Sequence, residues 1–144
     1  MLGRYYPGQT CSAAGALELV GERWSLLILR DALFRGLTRF SDFERSLGIA
    51  PNILTKRLES FVADGLMVLH AGPGQPREYH LTEMGRGLKS VIIALNDWGD
   101  QWLRRGGIDY VHRNCGGMIK QTFECQSCAS EVPLDEIGVR QRGV

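Results

Sequence analysis

The residues best equipped for chemistry stand near the C-terminal end of this chain, in the run HRNCGGMIKQTFECQSC. It contains two donor pairs of equal spacing, His112-x2-Cys115 and Cys125-x2-Cys128, with nine residues between them. Two such pairs are the usual way a short segment surrounds tetrahedral zinc, because each tight turn delivers two ligands. Gly116 and Gly117 permit the first turn. The intervening MIKQTFE suits a small two-stranded ribbon with too little apolar content to fold alone, and a bound ion supplies the missing folding energy. The expectation is one structural zinc per chain, held by His112, Cys115, Cys125 and Cys128. Reduced free thiols in a tail, or a redox-active Cys125–Cys128 pair, are the alternatives. Another group is an alternative to His112 as the fourth ligand.

A second constellation lies in PNILTKRLESFVAD, residues 51–64. At about 100° per residue around a helix, Leu54, Leu58, Phe61 and Val62 centre on one side. Asn52, Lys56 and Ser60 centre on the other, with Thr55 and Glu59 on one flank and Arg57 nearer the other. Asn pairs bidentately with adenine, and Lys or Arg with guanine or phosphate. Asn52, Thr55 and Lys56 lie nearest the N-terminus of this helix and are the base-reading candidates. Arg57 and Arg39 are expected at phosphates, which position a protein without reading sequence. Arg77 is expected at the minor groove or the backbone. The competing reading is an ordinary solvated face. Residues 21–65 hold seven basic and six acidic residues, a net of +1, so affinity would come from geometry and dimerisation more than from a strong field.

Such side chains need a frame, and the hydrophobic pattern supplies one. After a polar arm at 1–10, residues 12–20 read as a short helix with Ser12 as N-cap, ended by Gly21. Residues 23–34 are apolar on nearly all sides, with Trp24, Leu27, Ile28 and Leu33 at helical spacing, which implies a central buried helix. In 39–47, Phe40, Phe43 and Leu47 make one apolar face. Gly48-Ile49-Ala50 is a tight turn, and Pro51 suits the first position of the next helix. Residues 66–70 and 77–81 flank a Gly- and Pro-dense AGPGQP segment, as a β-hairpin does. Thr82 caps a long helix over 83–104, with Leu88, Ile92, Leu95 and Trp102 in a stripe and Trp98 alongside. Two helices joined by a short Gly-containing turn are the helix-turn-helix signature, and a hairpin directly after the second helix makes the winged variant. The fold class is mainly α with a small β-hairpin: a winged helix-turn-helix domain over 11–105, a long C-terminal dimerisation helix, and a short Cys-rich appendage over 106–144.

Composition is compatible with this frame. The chain has 144 residues, 44% hydrophobic and 23% charged, near globular averages, and wholesale disorder is excluded. A chain of this size buries roughly 68–70% of its unfolded surface, so it needs no disulfide framework. The net charge of +1 neither favours nor excludes nucleic acid, because affinity depends on where the cations sit. No apolar run approaches the roughly 20 residues that span a bilayer, and MLGRYYPGQT carries no secretory signal pattern. A cytoplasmic location without membrane attachment is expected.

The ordered series from Cys11 to Trp102 resembles the HxlR family of winged helix-turn-helix regulators. The resemblance rests on Cys11, ALELVGERWSLLILRDAL, the Gly-x-x-Arg-Phe-x-x-Phe run at Gly36–Phe43, GIAPNILTKRLESFVADGL, the Tyr79-x-Leu81-Thr82-x-x-Gly85 element and Trp98. Where the family usually has Gly-Lys-Trp, this chain has Glu22-Arg23-Trp24; the charge is kept, and so is a phosphate role for Arg23. The resemblance implies a homodimer on double-stranded DNA with a palindromic operator, whose symmetry matches that of the protein. It also implies dimerisation through the first and last helices, consistent with the apolar surface of Leu88, Ile92, Leu95, Trp98 and Trp102. Packing of that stripe on its own domain is the alternative. Cys11 stands where some family members carry a redox-sensing thiol; a passive, packed Cys11 is the expectation here, and a redox role the alternative. The implied function is sequence-specific transcription regulation, with a small-molecule or redox signal shifting the dimer between binding-competent and incompetent half-site spacing. The rivals are an enzyme using a catalytic zinc or the Cys125–Cys128 thiols, and a protein-interaction module. A catalytic zinc usually keeps an open position, whereas four donors in two tight pairs look closed. The expectation is therefore a regulator and not an enzyme.

Overall fold

The structure, a computed structural model, describes residues 5–143. Of the polar arm at 1–10, residues 1–4 lie outside the described residues. The chain divides into two compact units, residues 1–96 and 97–144, and the boundary falls inside its last α-helix. Among the described residues no helix is long and apolar enough to cross a membrane.

In the first unit the order is α1 (Ser12–Val20), α2 (Ser25–Arg35), α3 (Phe40–Leu47), α4 (Pro51–Ala63), β1 (Met67–His70), β2 (Glu78–Leu81) and α5 (Glu83–Arg86), and α6 (Lys89–Leu103) begins there. This is the expected winged helix-turn-helix order, with three local differences. The N-cap of α1 is Cys11, not Ser12: its Sγ accepts from the Ala14 N–H at 3.4 Å. α2 starts two residues later than its apolar pattern, so Arg23 and Trp24 precede it. The long helix expected over 83–104 is broken after Arg86, where Gly87 closes α5 and the Leu88 N–H bonds back to the Gly85 carbonyl.

α2, α3, α4, β1 and β2 surround one core. Ile28, Leu29, Phe43, Leu54, Leu58 and Phe61 are fully buried in it, with Ile49, Leu66, Met67, Tyr79 and Ile92 nearly so. Burial of this kind contributes about 1.5–3 kcal/mol per large apolar side chain before entropy is set against it. The helix period missed one core member. Asp31 is completely buried on α2. It accepts from Arg30 Nε at 2.9 Å and from the Ser46 hydroxyl of α3 at 2.5 Å, and Arg35 donates to the same hydroxyl. A buried carboxylate persists because those donors satisfy it, and the bonds tie α2 to α3.

The hairpin is antiparallel, with Met67 opposite Leu81 and His70 opposite Glu78. A third segment joins it: the Tyr79 N–H donates to the Thr38 carbonyl at 2.8 Å, and Arg39 bridges Glu78. After the wing, the Thr82 hydroxyl bonds the Gly65 and Leu66 carbonyls at 2.6 and 3.2 Å and accepts the Gly85 N–H. Gly85 must be glycine, since a Cβ there would stand 2.2 Å from the Leu66 carbonyl oxygen.

The second unit is thin. Beyond α6 no residue of 104–143 is buried, and only Tyr110, Cys125 and Val132 are half-buried. The expected ribbon through 118–124 does not form. Single antiparallel bridges instead flank two separate turns, Val111 with Met118 and Glu124 with Glu131, and a short 3-10 helix follows at Leu134–Glu136.

Candidate nucleic-acid interface

α3 and α4 are joined by a turn whose chemistry is explicit. Gly48 takes the left-handed conformation that ends α3, at φ 61°, which glycine adopts without a Cβ clash. Ile49 plugs into the core with 3% of its surface exposed. Ala50 is extended, and Pro51 opens α4 with no N–H to leave unsatisfied. α4 then buries Leu54, Leu58 and Phe61, which fixes the rotation of the helix. Its opposite face, with Asn52, Thr55 and Lys56, is exposed.

Among the described residues neither Asn52 nor Lys56 has a side-chain partner, so both are free to meet a ligand. The Thr55 hydroxyl donates to the Pro51 carbonyl at 2.9 Å and keeps its acceptor lone pairs. Ile53 is also exposed at this end, at 39%. It carries no polar signal in the sequence, yet an apolar side chain at the N-terminus of a groove-reading helix suits a thymine methyl.

The arginines divide. Arg77 is exposed in the loop before β2. Arg23 lies over the Trp24 ring, 5.6 Å from its centroid, so its charge is placed by a cation–π contact. Arg57 is mostly covered and points toward Glu22, with 3.8 Å between Nη1 and Oε1. That pair ties α4 to the segment before α2. Arg39 is half-exposed, and its Nε reaches Glu78 Oε1 on the wing at 3.3 Å. The other carboxyl oxygen of Glu78 meets His80 Nε2 at 3.0 Å, and the His80 ring lies 4.6 Å from that of His70. The hydrogen bond to His80 and then that to Arg39 hold the Glu78 carboxyl below its ordinary value. Glu78 and Glu22 thus orient two of the candidate cations. Neither was visible beforehand, because each partner lies tens of residues away along the chain.

The apolar stripe of the last helix also divides. Leu88 and Ile92 pack with the core of the first unit. Leu95, Trp98 and Trp102 are more than half exposed, as is Leu103. On α1, Leu17 is exposed at 51%.

In the second unit, His112 and Cys115 meet at 3.2 Å between Nδ1 and Sγ. Cys125 and Cys128 are likewise neighbours, and the Ser130 hydroxyl lies 2.8 Å from the Cys128 sulfur. That hydroxyl first, then the Ser130 N–H and Cys125, lower the Cys128 thiol pKa. Among the described residues no three His, Cys, Asp or Glu side chains are gathered closely enough to share an ion: the donors are paired, but the pairs are not joined.

A helix pair with a free polar face on its second member, followed by a wing, defines a winged helix-turn-helix transcriptional regulator. The model of the HxlR-like helix-turn-helix family matches residues 19–106, and the chain belongs to that family. It is 42% identical over 126 residues to an HTH-type transcriptional regulator of Mycobacterium tuberculosis, covering 84% of this chain and 79% of the relative. It is 36% identical over 93 residues to the HTH-type transcriptional regulator YtfH of Escherichia coli, covering 62% and 73%. Among solved structures it is similar to PA1607, a protein assigned as a transcription factor, with TM-score 0.83 and 34% identity over 94% of this chain and 97% of that one. It is also similar to the reduced form of the transcriptional regulator YodB from Bacillus subtilis, with TM-score 0.57 and 27% identity over 69% and 100%.

Proposed function

We propose that the chain acts as a homodimer on a palindromic operator, with one α4 in the major groove of each half-site. One observation carries this reading. The apolar side of α4 is sealed into the core, while Asn52 and Lys56 stand exposed and unengaged in its N-terminal half. In this arrangement Asn52, Thr55 and Lys56 meet base edges. Arg39, Arg23 and Arg77 serve phosphates or the adjacent minor groove, and Arg57 acts chiefly through Glu22 to hold α4 in place. Pairing is proposed to use the exposed apolar residues of α6, with Leu95, Trp98 and Trp102 as its centre. Leu88 and Ile92 support that helix from beneath.

A signal then shifts the equilibrium between two dimer geometries. YodB has been solved quinone-bound and the redox regulator HypR in an oxidized form, which supports a small-molecule or redox input here. Cys11 is the thiol of the first unit through which a redox signal would act, being exposed and, among the described residues, engaged by the Ala14 N–H alone.

The direct test titrates fluorescent DNA from upstream of the chain's own gene, at two salt concentrations, while light scattering reports the mass. The expected result is a specific shift at submicromolar protein with two chains per duplex site. A monomer, or equal affinity for any duplex, would remove the proposal.

A further inference from the structure

The second unit contains two turns that repeat each other bond for bond. In the first, the His112 N–H donates to the Gly117 carbonyl, and the Gly116 N–H returns to the His112 carbonyl. In the second, the Cys125 N–H donates to the Ser130 carbonyl, and the Ala129 N–H returns to the Cys125 carbonyl. Each turn is closed by one antiparallel bridge between the residue before its first donor and the residue six beyond that donor. Each places its second donor, Cys115 or Cys128, directly before a left-handed residue, Gly116 at φ 71° and Ala129 at φ 55°. In each a polar group two residues beyond that cysteine lies against its sulfur: the Gly117 N–H at 3.4 Å and the Ser130 hydroxyl at 2.8 Å.

Three features need an explanation. The backbone of Ala129 adopts a conformation that a side chain resists, so the turn is enforced against the preference of its residue. The sulfurs already carry outer hydrogen-bond partners of the kind that orient metal ligands. This segment also holds a defined path without a single buried residue beyond α6. A segment with no core needs a covalent or metal staple.

We propose that the two turns close on one zinc ion per chain, with His112 Nδ1 and the sulfurs of Cys115, Cys125 and Cys128 as its four ligands. On tetrahedral zinc, with Zn–S about 2.3 Å and Zn–N about 2.0 Å, two ligands of one turn stand about 3.5 Å apart. The His112–Cys115 separation of 3.2 Å is near that value. Each turn is thus a preformed half-site, and the ion supplies the link between halves that side-chain packing does not. Three sulfurs and one imidazole nitrogen suit redox-inert zinc in a closed structural role. Binding releases the thiol protons as the thiolates form, and no electron is transferred.

The test uses the full chain purified without chelator. Elemental analysis is expected to return one zinc per chain. Thiol titration is expected to find one fast-reacting cysteine, Cys11, with three more appearing after chelation. Cobalt substitution should give the visible d–d bands of a tetrahedral site and thiolate charge transfer. Cys115→Ser and Cys128→Ser should each release the metal, one variant per turn, while helical circular dichroism of the first unit persists. Metal-free protein that takes up no zinc and has four reactive thiols would overturn the proposal. So would a Cys125–Cys128 disulfide in the isolated chain, or a stoichiometry of one zinc per two chains.

Discussion

The two units of this chain hold their candidate functional side chains in opposite ways. Around α4, position comes from burial: Leu54, Leu58 and Phe61 lock one side of the helix, so Asn52 and Lys56 need no partner to face outward. Around Cys115 and Cys128, position comes from backbone hydrogen bonds in turns that no core supports. Core packing fixes a helix face from an apolar pattern and tolerates exchange on the opposite face. A turn without a core depends on a few particular residues and on whatever the turns bind.

The largest expected effect contrasts two phenylalanines. Phe61→Ala empties a fully buried site and should cost about 3–5 kcal/mol in chemical denaturation. Phe123→Ala removes a side chain that is 56% exposed and should stay within about 0.5 kcal/mol. Equal losses would break the comparison. Asp31→Ala should destabilise the first unit by about 2–3 kcal/mol, read as a lower midpoint, because the Ser46 and Arg30 donors lose their acceptor. Lys56→Ala should leave that midpoint unmoved and weaken specific DNA binding by about 1–3 kcal/mol; a variant that lost stability as well would show that the outward face is not free. Ala129→Gly should favour the second turn by about 1 kcal/mol, by relieving the left-handed strain, seen as slower proteolysis of the tail. The smallest effect concerns the clasp between Arg39, Glu78 and His80. The Glu78 carboxyl is held below its ordinary value of 4.5, so the clasp contributes above that value and fades as pH falls through the lowered one. Glu78→Gln should therefore loosen the wing at neutral pH, measured by amide exchange at Tyr79 and His80. Its difference from the unsubstituted chain should close in acid.

Much of the first unit was legible in the sequence, because its chemistry is periodic. The spacing of Leu54, Leu58 and Phe61 gave the orientation of α4 directly, and Gly48 and Pro51 marked its start. What escaped was non-periodic. Asp31 reads as a polar interruption of an apolar helix until Ser46, fifteen residues on, is folded against it. Arg39 and Arg57 read as free cations, because Glu78 and Glu22 have no sequence relation to them. The break at Gly87 left no mark, since an isolated glycine within a helical pattern is tolerated at modest cost. In the tail the paired spacing showed which donors belong together, and Gly116 marked the first turn. Ala129 left no mark of the second, because alanine gives no sign of a left-handed backbone.

The junction after the wing bears on how a pair of such chains would measure DNA. Thr82 is bolted to the two carbonyls that follow the recognition helix, and Gly85 sits so close to one of them that not even a methyl group fits between. Under the proposed mode of binding, a turn imposed on α5 would carry α4 with it through these contacts, as a rail gauge is kept by its sleepers, and an error of position would reach the base pairs.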